Sequence, residues 1–157
     1  MRFVLDQNFP IQATGLPWPQ GLDVCPLTSI DPALARNHDD WEVLRALHRR
    51  GDVDGFITND ADILHLPREM VMLSRTQLTL VVTDGLGHDP LGATGLLMLH
   101  LPQIVRRSDP TPRIYRLRRS QLPLVQVRPI IDNLARREGI PRHDLVSREL
   151  AEIDRTL

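Results

Sequence analysis

Five aspartates stand where short apolar runs stop or where helices begin: Asp6, Asp39, Asp40, Asp60 and Asp62. Phe3-Val4-Leu5 runs into Asp6. Asp39 and Asp40 open a periodic segment. Gly55-Phe56-Ile57-Thr58 runs into Asn59-Asp60-Ala61-Asp62. Carboxylates brought together repel one another and raise each other's pKa unless a cation sits among them. Hard oxygen ligands suit Mg²⁺ or Mn²⁺, and such an ion activates water and neutralises charge on a phosphoryl group. That is the machinery of a phosphodiesterase, and it needs no Ser, Cys or His nucleophile. Each acid also has a plainer reading. Asp6 suits an Asx turn into Asn8. Asp39 is a helix N-cap with Glu42 as its capping-box partner. Asp40 complements a helix dipole. Asp60 suits a cap on a helix starting at Ala61.

The elements around these acids decide whether they meet. Residues 3–5, 22–27, 55–58 and 78–83 read as strands, the last being the most β-like run. Pro26 marks the second strand as an early-ending or edge strand. Prolines 10, 17 and 19 and glycines 15 and 21 leave room only for a short helix over 7–21, and 28–38 reads as a loop. Trp41, Leu44 and Leu47 lie on one face of a helix from Asp39 that Gly51 ends. Ile63-Leu64 starts a short helix expected to stop near Pro67. A helix follows over 90–106, kinked or ended near Pro102. Residues 114–118 alternate as an edge strand would, and helices are expected over 129–138 and 142–155. Apolar strands alternating with helices predict an α/β sandwich around a mostly parallel sheet. In such a sheet, strand C-termini and the N-termini of following helices share one edge, where ligands bind. That edge would gather Asp6, Asp40, Asp60 and Asp62, with Asp84 as a weaker fifth.

Composition narrows the function classes. The lone cysteine, Cys25, excludes an internal disulfide and reads as a small buried residue, and no Cys/His spacing matches a zinc site. The six histidines show no ligand spacing; His38 reads as a loop residue and Trp41 as core. There is no phosphate-binding glycine loop, dinucleotide fingerprint or nucleophile elbow. The apolar stretch near Leu96 is interrupted by His100 and Pro102, so no membrane span is expected. Met1-Arg2 leads straight into the first strand without a secretory pattern, and the expected compartment is the cytoplasm. Charge is uneven: residues 1–100 carry 13 acids and 7 Arg, residues 101–157 carry 7 acids and 12 Arg. An acidic front with a basic tail suits a metal site beside a polyanion groove.

Three segments resemble a known family. Phe3-Val4-Leu5-Asp6-Gln7-Asn8-Phe9-Pro10 resembles the opening of PIN-like proteins, a strand ending in Asp-x-Asn followed by an apolar residue and Pro. Asp40-Trp41-Glu42-Val43-Leu44 resembles their second motif. Phe56-Ile57-Thr58-Asn59-Asp60-Ala61-Asp62-Ile63-Leu64 resembles their third and most specific one. The resemblance covers about residues 1–105 and sets a PIN-like domain there, with 106–157 as a basic C-terminal extension of a strand and two helices. It implies Mg²⁺- or Mn²⁺-dependent cleavage of RNA that leaves a 5′-phosphate. Asp6, Asp40, Asp60 and Asp62 would be the metal and water ligands, supported by Asn8 and Thr58. It also implies the toxin role in a toxin–antitoxin pair, with an antitoxin protein as partner; a homodimer is a further expectation. Gln7 departs from the family, whose close members often carry Glu there, and the segment from Ile11 to Pro19 is richer in proline than a typical first helix.

The basic tail has two readings. Arg113, Arg116, Arg118 and Arg119 offer phosphate contacts, with Arg116, Arg118 and Arg119 as the expected substrate-binding set. Residues 134–141 with the helix after them vaguely resemble a helix-turn-helix, and the preferred alternative is a pair of amphipathic helices packed on the domain or on a second subunit. Two other functions stay open: a catalytically inactive PIN-like module that binds RNA or protein, and an acid-cluster phosphohydrolase of the haloacid-dehalogenase type. The latter wants Asp-x-Asp after its first strand, where this chain has Asp6-Gln7-Asn8.

Overall fold

A computed structural model describes residues 1–36, 38–86, 88–106, 112–118 and 124–155. Strands β1 (Arg2–Leu5), β2 (Asp23–Pro26), β3 (Gly55–Thr58), β4 (Thr79–Thr83), β5 (Arg113–Leu117) and β6 (Leu124–Gln126) form one sheet in the order β2-β1-β3-β4-β5-β6. The first five are parallel to their neighbours, and β6 alone is antiparallel, beside β5. The chain is thus an α/β sandwich on a mostly parallel sheet. The order changes direction between β1 and β3, which places a topological switch point at the ends of those two strands.

Period-two alternation gives the sheet two apolar faces. Val4, Phe56, Leu80, Val82 and Ile114 face one core, shared with α2 (Asp40–Arg50), α3 (Pro67–Ser74), α5 (Val127–Glu138) and α6 (Arg142–Arg155). Phe3, Leu5, Ile57, Val81, Tyr115 and Leu117 face the other, closed by α4 (Pro90–Val105) and the 3-10 turn Ile11–Gly15. Gly55 is required where β3 passes between its neighbours. A Cβ there would lie 2.4 Å from the Phe3 ring and 2.6 Å from the Thr79 carbonyl oxygen.

Several expectations meet the structure directly. Pro26 ends the edge strand β2, and the capping box of Asp39 and Glu42 opens α2, which Gly51 closes in the left-handed conformation. Others need correction. Residues 27–30 form one helical turn, α1 (Leu27–Ile30), in place of the expected last strand residue, Leu27, and the start of the expected loop at 28. The short helix containing Ile63-Leu64 does stop before Pro67, as the 3-10 turn Ala61–His65, but Pro67 then starts a second helix. A proline fits the first helical position because its missing N–H would have no partner there, and α3 then buries Met70, Val71, Met72 and Leu73. The helix α4 continues through Pro102 to Val105. Strand β5 is interior, lying between β4 and β6, so 114–118 is not an edge. The helices α5 and α6 pack against α3, as the preferred reading of the tail holds. Among the described residues no helix is long and apolar enough to cross a membrane.

Candidate functional site

The C-terminal ends of β1 and β3 are tied together by one hydroxyl. Thr58 Oγ1 donates to Asp6 Oδ2 at 2.9 Å and accepts from the Asp60 amide at 3.0 Å. Both Asp6, 8% exposed, and Thr58, 2% exposed, are buried. Asp60 is exposed. Its Oδ1 accepts the Asp62 N–H at 2.8 Å and caps the 3-10 turn Ala61–His65. Asp40 reaches the same edge as the first residue of α2. The capping box fixes that start, with the Asp39 amide donating to Glu42 Oε2 at 3.1 Å.

Electrostatics bring Asp6, Asp40 and Asp60 together. Burial raises the Asp6 pKa; the Thr58 hydroxyl and the Gln7 and Asn8 amides pull it back, and the Asp60 charge pushes it up again. Burial, then the charges of Asp6, Asp60, Glu69 and Asp39, push Asp40 up to about 7. The four charges with the largest effect on Asp40 are therefore all acids. Glu69 is the residue that sequence reasoning missed. It is buried in the first turn of α3, and burial and the Asp39 charge raise its pKa, against Arg68. Its signal was an acid in the first turn of a helix just after the third motif, legible only once Pro67 is read as a helix start.

The remaining expected residues lie apart from this center. Asp62 is exposed and joins through its backbone amide, which donates to Asp60. Asn8 is exposed, and its carbonyl accepts from Asn59 Nδ2 at 3.4 Å. Among the described residues, no group of three or more His, Cys, Asp or Glu is poised to enclose a metal ion. The donors do fit the looser mode of Mg²⁺, which uses one or two carboxylates and keeps several waters. A cation is also what neighbouring acids that push one another's pKa up call for.

The same sheet edge changes character at β4 and β5. Thr83, at the end of β4, donates its hydroxyl to Asn59 Oδ1. The next residue, Asp84, accepts from Arg118 Nε at 2.7 Å and from Arg116 Nη2. Burial pushes the Asp84 carboxyl up, but the bonds from Arg118 and Arg116 outweigh it and hold it below the ordinary carboxylate range. The fifth acid is thus committed to an ion pair, and so are two of the expected phosphate-binding arginines. Arg119 lies outside the described residues. His38 sits 2.9 Å from Glu42 rather than at the acids, and Trp41 is buried with Arg68 over its ring. Comparison of the chain with protein-family models, with curated proteins and with solved structures returns no match.

Proposed function

We propose that the protein is a metal-dependent endoribonuclease of the PIN-like class. The observation that carries this reading is the convergence of Asp6, Asp40 and Asp60 at the switch point of a parallel sheet, with acids as the largest charge effects on Asp40. Bound Mg²⁺ or Mn²⁺ would supply Lewis acidity, activating water and neutralising charge on the phosphoryl group. Asp6 and Asp60 would hold the ion, each already oriented by a hydrogen bond to Thr58 or to the Asp62 amide. Asp40 would orient the attacking water from the helix start. Water adds to phosphorus, the P–O3′ bond breaks, and the products are a 5′-phosphate and a 3′-hydroxyl. The resemblance of the three motifs to PIN-like proteins supports RNA as the substrate. It also supports a toxin role, silenced by an antitoxin whose arginine would enter the acidic site and pair with its carboxylates.

Asp60 separates a metal site from a set of helix caps. Asp60→Asn keeps a side chain that caps about as well, so a cap alone predicts little change. A metal site predicts that Asp60→Asn removes most of the rise in melting temperature caused by Mn²⁺, since a ligand stabilises the native state it binds. The same variant should stop cleavage of a fluorescent single-stranded RNA. A wild-type protein that gains no thermal stability from millimolar Mn²⁺, or an Asp60→Asn variant cutting at full rate, rejects the site. A protein that binds RNA with neither metal shift nor cleavage is the inactive module instead.

A further inference from the structure

A cavity of about 590 Å³ opens between the turn Ala61–His65, β5 and α5. Leu64, Ile130 and Leu134 supply its apolar wall, and Arg116, Arg136 and Arg137 its cations. Leu64 and His65 belong to the single turn that Asp60 caps, so the cavity adjoins the carboxylate edge through one element.

The charge balance of this cavity is set by how α5 and α6 pair. The acids of α5 are engaged by α6: Glu138 with Arg148 at 2.7 Å, and Asp132 with Arg142 at 3.6 Å. Among the described residues neither Arg136 nor Arg137 is drawn into an ion pair, and Arg136 Nη2 rests on the neutral amide of Asn133. Arg116 is tethered to Asp84, while its Nε is buried without a hydrogen-bond partner. Free cations beside an apolar wall match a ligand that is anionic at one end and planar and apolar at the other.

We infer that this cavity binds one nucleotide of single-stranded RNA, with its phosphate at Arg136 and Arg137 and its base against Leu64, Ile130 and Leu134. The inference deepens the nuclease reading and rests on it for the identity of the polymer. It moves the substrate contact from the strand-end arginines to α5. Its position beside the turn that Asp60 caps would let a neighbouring phosphodiester reach the carboxylates.

Binding measured in EDTA keeps this test apart from cleavage. Fluorescence anisotropy with labelled oligouridine should show at least a fivefold loss of affinity for the double variant Arg136→Gln, Arg137→Gln. Its log–log salt slope should be shallower by about 0.7, the value for one lost phosphate contact on a single strand. Both residues are exposed, so the fold should survive, and circular dichroism checks that it does. Arg155→Gln on α6, outside the cavity, should bind as wild type. Uridine monophosphate should displace the RNA far better than inorganic phosphate. Unchanged affinity and slope, an equal loss from Arg155→Gln, or equal competition by inorganic phosphate would each overturn the assignment. So would oligoglutamate displacing the RNA where uridine monophosphate does not, because the cavity would then be a protein-docking site. Failure of cleavage with binding intact would count against the nuclease reading alone.

Discussion

Asp40 and Asp84 occupy the same edge of one sheet and have opposite electrostatic surroundings. Asp40 feels the charges of Asp6, Asp60, Glu69 and Asp39 and is pushed up to about 7, burial being the largest cause. Asp84 takes bonds from Arg116 and Arg118 and is held below the ordinary range. Position at a strand end therefore does not fix what a carboxylate does. Burial raises both carboxyls, and the neighbouring charge separates them: acids add to the rise at Asp40, while the arginines that β5 brings reverse it at Asp84.

The sharpest way to break this contrast is metal affinity against pH. If the acids around Asp40 take up a cation, binding must displace the proton held there. Mn²⁺ affinity, followed by thermal shift, should then tighten about tenfold per pH unit below 7 and level off above it. Affinity that is flat from pH 5.5 to 7 would mean that Asp40 plays no part.

Next in size is the effect of one substitution type at both sites on the metal-free protein. For Asp40 the folded pKa lies above the unfolded value of 3.8. The folded state then binds more protons between those values, and stability falls as pH rises from about 4 to 7. Asp40→Asn should abolish that fall and stabilise the protein at pH 8. A shift of this size caps the gain near ~4 kcal/mol; solvent screening at a partly exposed helix start reduces it to about 2 kcal/mol, or roughly 4–8 °C. For Asp84 the folded pKa is lowered, so its contribution is present above the unfolded pKa and lost as pH falls through the folded one. Asp84→Asn should therefore destabilise at neutral pH, by about 1.5 kcal/mol for bonds to a charged group, or roughly 3–6 °C. Urea melts of both variants at pH 5 and pH 8 check the signs; two changes of the same sign would remove the contrast.

The smallest expected effect is that of Arg118→Gln. Its guanidinium is 51% exposed and shares Asp84 with the more buried Arg116. An exposed ion pair is worth about 0.2–1 kcal/mol, so a larger loss would mark Arg118, not Arg116, as the main partner of Asp84.

Much of the first half of this edge was legible in the sequence. Asp6 and Asp60 were readable because a short apolar run stops at each, and Asp40 because the spacing of Asp39 and Glu42 announces a helix start. These are local signals. Glu69 was hidden by a proline with two meanings, helix stop or first helical residue, and only the burial of Met70 to Leu73 decides between them. The pairing of Asp84 with Arg116 and Arg118 spans 32 and 34 residues, and nothing local encodes it. It depends on β5 lying beside β4, which alternation alone cannot distinguish from an edge position. The cation-lined cavity is further from view, because α6 arginines must first engage the acids of α5.

The way the core is shared out along the chain sets an order of events during translation. The first-half residues Val4, Leu44, Phe56 and Met70 share one core with Val127, Ile131, Leu134, Leu145 and Ile153. All four expected aspartate ligands have been synthesised by residue 62, while α6, which packs on α3, is made about eighty residues later. A nascent chain therefore carries its acids well before the apolar face that supports Asp40 and Glu69 can close. Whatever these carboxylates do, they do it on a scaffold that waits for α5 and α6.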